Sequence, residues 1–137
     1  MYFQCETNVK AGTWGLYQWF SEHKDNLIFC DDRESFKALS PNGKVFHCIS
    51  EDDNFLTLQY DAIAYRVKPT LYKQVATPLF SFGEQVKVIN NVDKVGIIKG
   101  MEWHFQQSAV MYFLEIDGKY QSKRYWQQNL ASARISL

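Results

Sequence analysis

The sequence predicts an α+β fold that is mostly β, arranged as two small modules. Three observations carry that reading. From Lys44 onward apolar residues recur at every second position, helix start and stop signals occur together only around residues 31–43, and Pro78 and Gly83 punctuate VATPLFSFG between two runs of strand pattern. The expected boundaries are residues 1–78, holding a short helix and a three-stranded antiparallel sheet, and residues 79–137, holding a small antiparallel barrel.

GTWGLYQWF crowds Trp14, Tyr17, Trp19 and Phe20 into a stretch that fits neither the helix nor the strand period. In CDDRESFKALSPNG, Asp31 with Glu34 three residues later predicts a capping box, Phe36, Ala38 and Leu39 give the helix an apolar side, and Pro41, Asn42 and Gly43 stop it. KVFHCI, NFLTLQY and AIAYRVKP then read as three strands, joined by the acidic SEDD turn and a tight connection at Asp61. Pro69 ends the third strand, because proline cannot donate to a ladder, and LYKQV is expected to be a helical turn.

In the last third GEQVKVI alternates, NNVDK is expected as a turn, and GIIKGMEWHF is the next strand. Gly100 marks a change of phase there, which predicts a bulge or bend. After it Met101, Trp103 and Phe105 share one face and are expected inside, with Glu102 and His104 outside. AVMYFLEI and KYQSKRYW form a hairpin across DGK, and QQNL closes the module as a helical turn.

GEQVKV, the glycines of GIIKG, the YF pair, the IDGK hairpin and RYWQQNL together resemble the small SH3-like barrels of the KOW and Tudor type, over residues 83–130. Such barrels bind many ligands, so the resemblance implies a fold and no particular partner. LQYDAIAYRVKPTLYKQV and LEIDGKYQSKRYWQQNL also echo one another, each running strand, Asp turn, strand and short helical tail. The whole chain resembles an uncharacterised bacterial two-module family, which implies no activity.

With 137 residues, 46% apolar, 22% charged and 16% aromatic, the chain has the composition of a folded globular protein. Basic and acidic residues balance at 15 each, so no global field draws it to nucleic acid or to an anionic membrane. Cys5, Cys30 and Cys48 are odd in number and widely spaced, which argues for a reducing, cytoplasmic setting. No signal peptide or membrane span is expected.

Phosphate-cradle, nucleophile-elbow and zinc-helix motifs do not occur, and no cofactor is expected. His23, Cys30, His47 and Cys48 are the conceivable metal ligands, but adjacent strand residues point to opposite faces, so no metal is expected. Cys30 and Cys48 lie among apolar residues, where a thiol behaves as a small hydrophobe.

The expected function is therefore non-catalytic binding of another protein, with a small bacterial inhibitor or immunity-type protein as its concrete form. Candidate binding residues are Trp14, Tyr17 and Trp19 with the acidic turn Glu51, Asp52 and Asp53. For the aromatic members core packing is the favoured role and an interface anchor the second. The alternative is an RNA- or DNA-associated barrel that uses Lys119, Lys123, Arg124 and Tyr125, a mix of charge and flat rings suited to backbone and bases.

Overall fold

The structure, a computed structural model, describes residues 9–133. It is mostly β. The first sheet contains β1 (Trp14–Tyr17), β2 (Phe46–Glu51), β3 (Leu56–Tyr60), β4 (Ile63–Val67) and β5 (Tyr72–Val75), with helix α1 (Arg33–Leu39) between β1 and β2. The second contains β6 (Gln85–Val88), β7 (Asn91–His104), β8 (Ala109–Ile116), β9 (Lys119–Tyr125) and β10 (Leu130–Ser132). Both sheets are antiparallel throughout.

The spatial orders are β4-β3-β2-β1-β5 and β9-β8-β7-β6-β10, so both sheets follow one topology. In each, a 3-10 turn (Pro69–Leu71, Gln127–Asn129) separates the fourth strand from the fifth. Asp61 and Asp117 occupy the turns between the third and fourth strands with φ of 54° and 53°. The echo in the sequence therefore falls on equivalent strands.

Several expectations need correction. The first sheet has five strands instead of three, because WGLY and YKQV pair with each other at its far side. LYKQV is consequently the end of a 3-10 turn followed by β5. The turn expected over NNVDK is confined to Ile89 and Asn90, the latter at φ 76°, since β7 already starts at Asn91. The capping box does not form: Asp32 is the N-cap without a side-chain cap bond, and its carboxylate accepts instead from the Arg66 N–H at 2.9 Å and Nε at 3.3 Å. The second sheet is open in its hydrogen bonding, with β9 and β10 at opposite edges.

Two buried clusters hold the molecule together. Tyr17, Ile28, Phe36, Phe46, Cys48, Leu58 and Tyr65 fill the first. Trp14, Leu16 and Val45 join Val86, Ile98, Met101, Tyr112, Leu114 and Tyr125 in the second. All four residues of β1 are buried, and its large side chains divide between the two clusters. Burying one such side chain contributes roughly 1.5–3 kcal/mol, so β1 ties both sheets into one cooperative core.

Backbone bonds strengthen that joint. The Val45 N–H donates to the Met101 carbonyl at 3.0 Å, and the Trp103 N–H donates to the Gly43 carbonyl at 2.7 Å. Ion pairs Lys44–Glu102 (3.7 Å) and Lys99–Asp61 (3.5 Å) flank them. The phase change at Gly100 is a register shift between Ile98 and Gly100, and a Cβ there would stand 2.6 Å from the Tyr120 hydroxyl. Past that shift Met101 is buried as expected, whereas Trp103, expected inside, and Glu102 and His104, expected outside, are all half-buried. Phe105 is 57% exposed, contrary to expectation, because β7 ends at His104 and the alternation ends with it.

Candidate protein-binding cleft

The side chains expected to form a binding surface do not form one. Trp14 and Tyr17 are 5% and 0% exposed and belong to the two cores. Trp14 stacks on His47 with ring centroids 4.3 Å apart, and burial holds the His47 pKa below the usual histidine range against the opposing Gln59 hydrogen bond. The Tyr17 hydroxyl donates to the Lys68 carbonyl at 2.6 Å, and burial raises its pKa.

Trp19 is half-buried, its N–H bonded to Asn42 Oδ1 at 2.7 Å and its ring 5.5 Å from Lys37 Nζ. It sits before β2 begins, whereas Glu51, Asp52 and Asp53 lie at the other end of that strand. The acidic turn is internally organised. Glu51 accepts from the Lys10 N–H at 3.0 Å, and Asp52 accepts from the N–H groups of Asn54 and Phe55 at 2.8 and 2.7 Å. Those backbone donors, Phe55 first, hold the Asp52 carboxyl below its ordinary range.

The basic candidates divide as well. Lys119, Lys123 and Arg124 are exposed on β9, but Tyr125 is 4% exposed in the second core with Lys123 Nζ 5.3 Å from its ring. It cannot offer a free face to a base. Cys48 is buried, and burial pushes its thiol up to about 11, while Cys30 is exposed and Cys5 lies outside the described residues.

A different surface has the shape of a site. At the end of β7 the chain turns through residues 105–108 and returns as β8, pairing Trp103 with Val110 and His104 with Ala109. The last β8–β9 pair is Tyr112 with Tyr125, after which Trp126 leads into the 3-10 turn. Trp103 and Trp126 thereby line one cleft of about 290 Å³, with Ala109 and Val110 between strands and Ala76, Thr77 and Pro78 from the connector.

Each wall is fixed. Trp126 packs edge-on against His104 (centroids 5.3 Å, planes at 67°), and its N–H is held by Asn129 Oδ1 at 2.9 Å. His104 Nδ1 in turn accepts from the Gln107 N–H at 3.1 Å. The connector is anchored just past Pro78, where the Tyr112 hydroxyl accepts from the Leu79 N–H at 3.0 Å and Phe80 is buried.

The remaining lining is Ser108, Gln127 and Gln128, so the cleft has neutral hydroxyl and amide groups and no charged residue. Two rings on rigid walls cost little ordering on binding, which favours a preformed site. A second cleft of about 290 Å³ at the joint contains Tyr60, Tyr120 and the Lys99–Asp61 pair, and is therefore partly self-neutralised.

The region that carries both sheets and this cleft also identifies the chain's relatives. The chain belongs to a family of unknown function, DUF6960. The family model matches residues 7–131. No curated protein matches the chain. Every residue of the two-tryptophan cleft falls inside the DUF6960 match.

Trp103 and Trp126 are both conspicuous in the sequence, the first in an expected seam and the second beside a basic run. Their proximity depends on the β7–β8 register and the Asn129 cap. No local pattern carries that information.

Proposed function

We propose that the chain is a non-catalytic protein-binding protein that takes an extended, uncharged, proline-containing segment of its partner into the two-tryptophan cleft. The observation that carries this reading is the lining, with two indole rings, neutral donors and acceptors, and no charge. Tryptophan combines large apolar area with one polar handle and is enriched among the residues that dominate interface energy. An extended proline-containing segment suits such a cleft because its conformation is already restricted before binding.

The buried, high-pKa Cys48 supports the non-catalytic part, since a protonated thiol is a poor nucleophile. The second sheet supports an SH3-like barrel reading of the KOW and Tudor type through its strand order and the 3-10 turn before β10. Where the partner is an enzyme whose own surface supplies the segment, capture would make the chain an inhibitor or immunity-type protein. A cytoplasmic setting belongs to the same proposal.

Nucleic acid is the second reading, favoured by exposed Lys119, Lys123 and Arg124. The burial of Tyr125 weakens it.

The test is a titration of the full chain with a neutral proline- and leucine-rich peptide of about ten residues, followed by tryptophan fluorescence. Saturable binding that persists from about 0.1 to 0.5 M salt and is lost in Trp103→Ala is the expected result. A peptide affinity unchanged in Trp103→Ala would remove the cleft as the site. Steeply salt-dependent capture of single-stranded RNA, with no peptide binding, would replace the reading with the nucleic-acid one.

A further inference from the structure

The two sheets invite a comparison at one particular edge. A single residue separates the fourth strand of each from its 3-10 turn, so Val67 corresponds to Tyr125 and Arg66 to Arg124. Val67 and Tyr125 are buried, at 0% and 4% exposure. Arg66 and Arg124 are both exposed.

In the first sheet the outer edge of β4 is occupied by a short stretch of the chain itself, Ile28 and Phe29, which runs extended between two 3-10 turns. Ile28 bridges to Val67, the Phe29 N–H donates to the Arg66 carbonyl at 2.9 Å, and the Lys68 N–H donates to the Leu27 carbonyl at 2.8 Å. The side chains complete the attachment. Ile28 enters the core, the Phe29 ring lies 3.7 Å from the Arg66 guanidinium carbon, and the Asp32 carboxylate pairs with Arg66 Nε. One strip of sequence, LIFCDD, thus supplies an apolar anchor, a ring for the arginine and an acid for its charge.

In the second sheet β9 is the edge strand, and among the described residues no segment pairs with its outer side. Arg124 lies exposed, its Nη1 3.5 Å from Met111 Sδ, with Lys119 and Lys123 exposed on the same strand. Beside it an opening of about 220 Å³ lies between Lys123, Arg124 and Tyr125 on one side and Val88, Ile89 and Asn129 on the other. That volume accommodates a single apolar side chain.

We propose that the outer edge of β9 is a docking strand for an extended segment of a partner protein, in which an apolar residue and an aromatic residue precede an acidic residue that pairs with Arg124. The incoming backbone pairs with the open edge, extending the single bridge that the chain's own Ile28 makes at β4. One bond of that set is not reproduced, because the Trp126 N–H is already held by Asn129 Oδ1. Pairing of two β9 edges from two copies would bring Lys119, Lys123 and Arg124 against one another, so charge disfavours a second copy as the occupant. The proposal rests on the protein-binding reading but uses a separate surface, and the two fail independently.

The probe is a synthetic peptide copying residues 26–33 with Cys30→Ser, titrated into the full chain. The expected result is saturable binding that weakens with salt, falls by about tenfold or more in Arg124→Ala, and is intermediate in Arg124→Lys, which keeps charge but loses the fork. A peptide carrying Asp32→Asn should lose affinity for the unaltered chain and not for Arg124→Ala. Trp103→Ala should leave this peptide's affinity unchanged, although it removes binding of the proline-rich peptide.

Equal binding by unaltered chain and Arg124→Ala would mean that the peptide displaces the chain's own segment from β4, and the proposal would fall. It would also fall if single-stranded RNA bound and the peptide did not, or if Arg124→Glu dissociated a dimer of the chain. Absence of peptide binding with the proline-rich peptide still captured would overturn the docking strand alone.

Discussion

The Tyr60 hydroxyl accepts a hydrogen bond from the Met101 N–H at 2.9 Å and lies 3.3 Å from the Met101 carbonyl, to which it donates. This one group, at the end of β3, satisfies both backbone polar atoms of a buried residue in β7. Burial raises the Tyr60 pKa, so it serves as the neutral phenol across the ordinary pH range. Tyr60→Phe should lower stability by about 1–3 kcal/mol, because it leaves the buried Met101 N–H without its partner, while the Met101 carbonyl keeps the Val45 N–H. Urea unfolding checks this, and a midpoint equal to that of the parent chain would show that the bond contributes nothing net.

Gly15 lies where β1 and β5 meet, and a Cβ there would stand 2.5 Å from Tyr72 and 2.6 Å from the Lys73 carbonyl oxygen. Backbone cannot move aside as a flexible side chain can. Gly15→Ala should therefore destabilise by about 1–3 kcal/mol through overpacking, read as a lowered melting temperature. An unchanged melt would mean that β5 shifts freely.

Trp103 is half-buried against the second core, so its truncation combines a packing loss with loss of the cleft wall. Trp103→Ala should cost about 1–2 kcal/mol, less than removal of a fully enclosed ring. Loss above about 4 kcal/mol in chemical denaturation would assign the ring a core role and weaken its role as a binding wall.

His47 has a folded pKa below the unfolded value of 6.5, chiefly because burial penalises its charged form. The unfolded chain then binds the proton more readily. This neutral histidine's contribution is complete above the unfolded pKa and is lost as pH falls through 6.5 toward the folded value. His47→Gln should flatten stability against pH in that window, and parallel profiles for the two proteins would contradict it.

The thiols differ in access, with Cys30 exposed and Cys48 buried. Labelling of the folded chain by a thiol reagent should slow when Cys30→Ser is introduced and stay the same with Cys48→Ser. Rapid modification of Cys48 would reveal an opening of the first core that the packed structure does not contain.

Much of the architecture was legible because half-buried strands alternate. β2, β3, β4 and β6 follow that rule closely enough to be read from sequence, β8 and β9 were marked by the Asp-Gly turn between them, and Gly100 marked a real register shift. β1 was illegible for the opposite reason. Its residues are buried on both sides, so WGLY has no polar face to reveal a period. Core packing is the favoured role for Trp14 and Tyr17 in the sequence and their burial agrees with it, but their place among the candidate binding residues does not survive. The Asp31–Glu34 spacing promised a cap, but Arg66, which is distant in sequence, claims the neighbouring Asp32. The candidate cleft was hidden because it is assembled by register and by a cap, both long-range facts.

The placement of Trp14 and Leu16 also bears on how the chain can be divided. These residues precede the connector at 76–78 by more than half the first sheet, yet they complete the core beyond it. A cut in that connector would leave the second fragment without Trp14, Leu16 and Val45 and would uncover those same apolar side chains on the first, so neither should be expressed well by itself. Produced together, they would be suited to reassembly by fragment complementation, with recovery of the native fluorescence reporting that the two pieces had met.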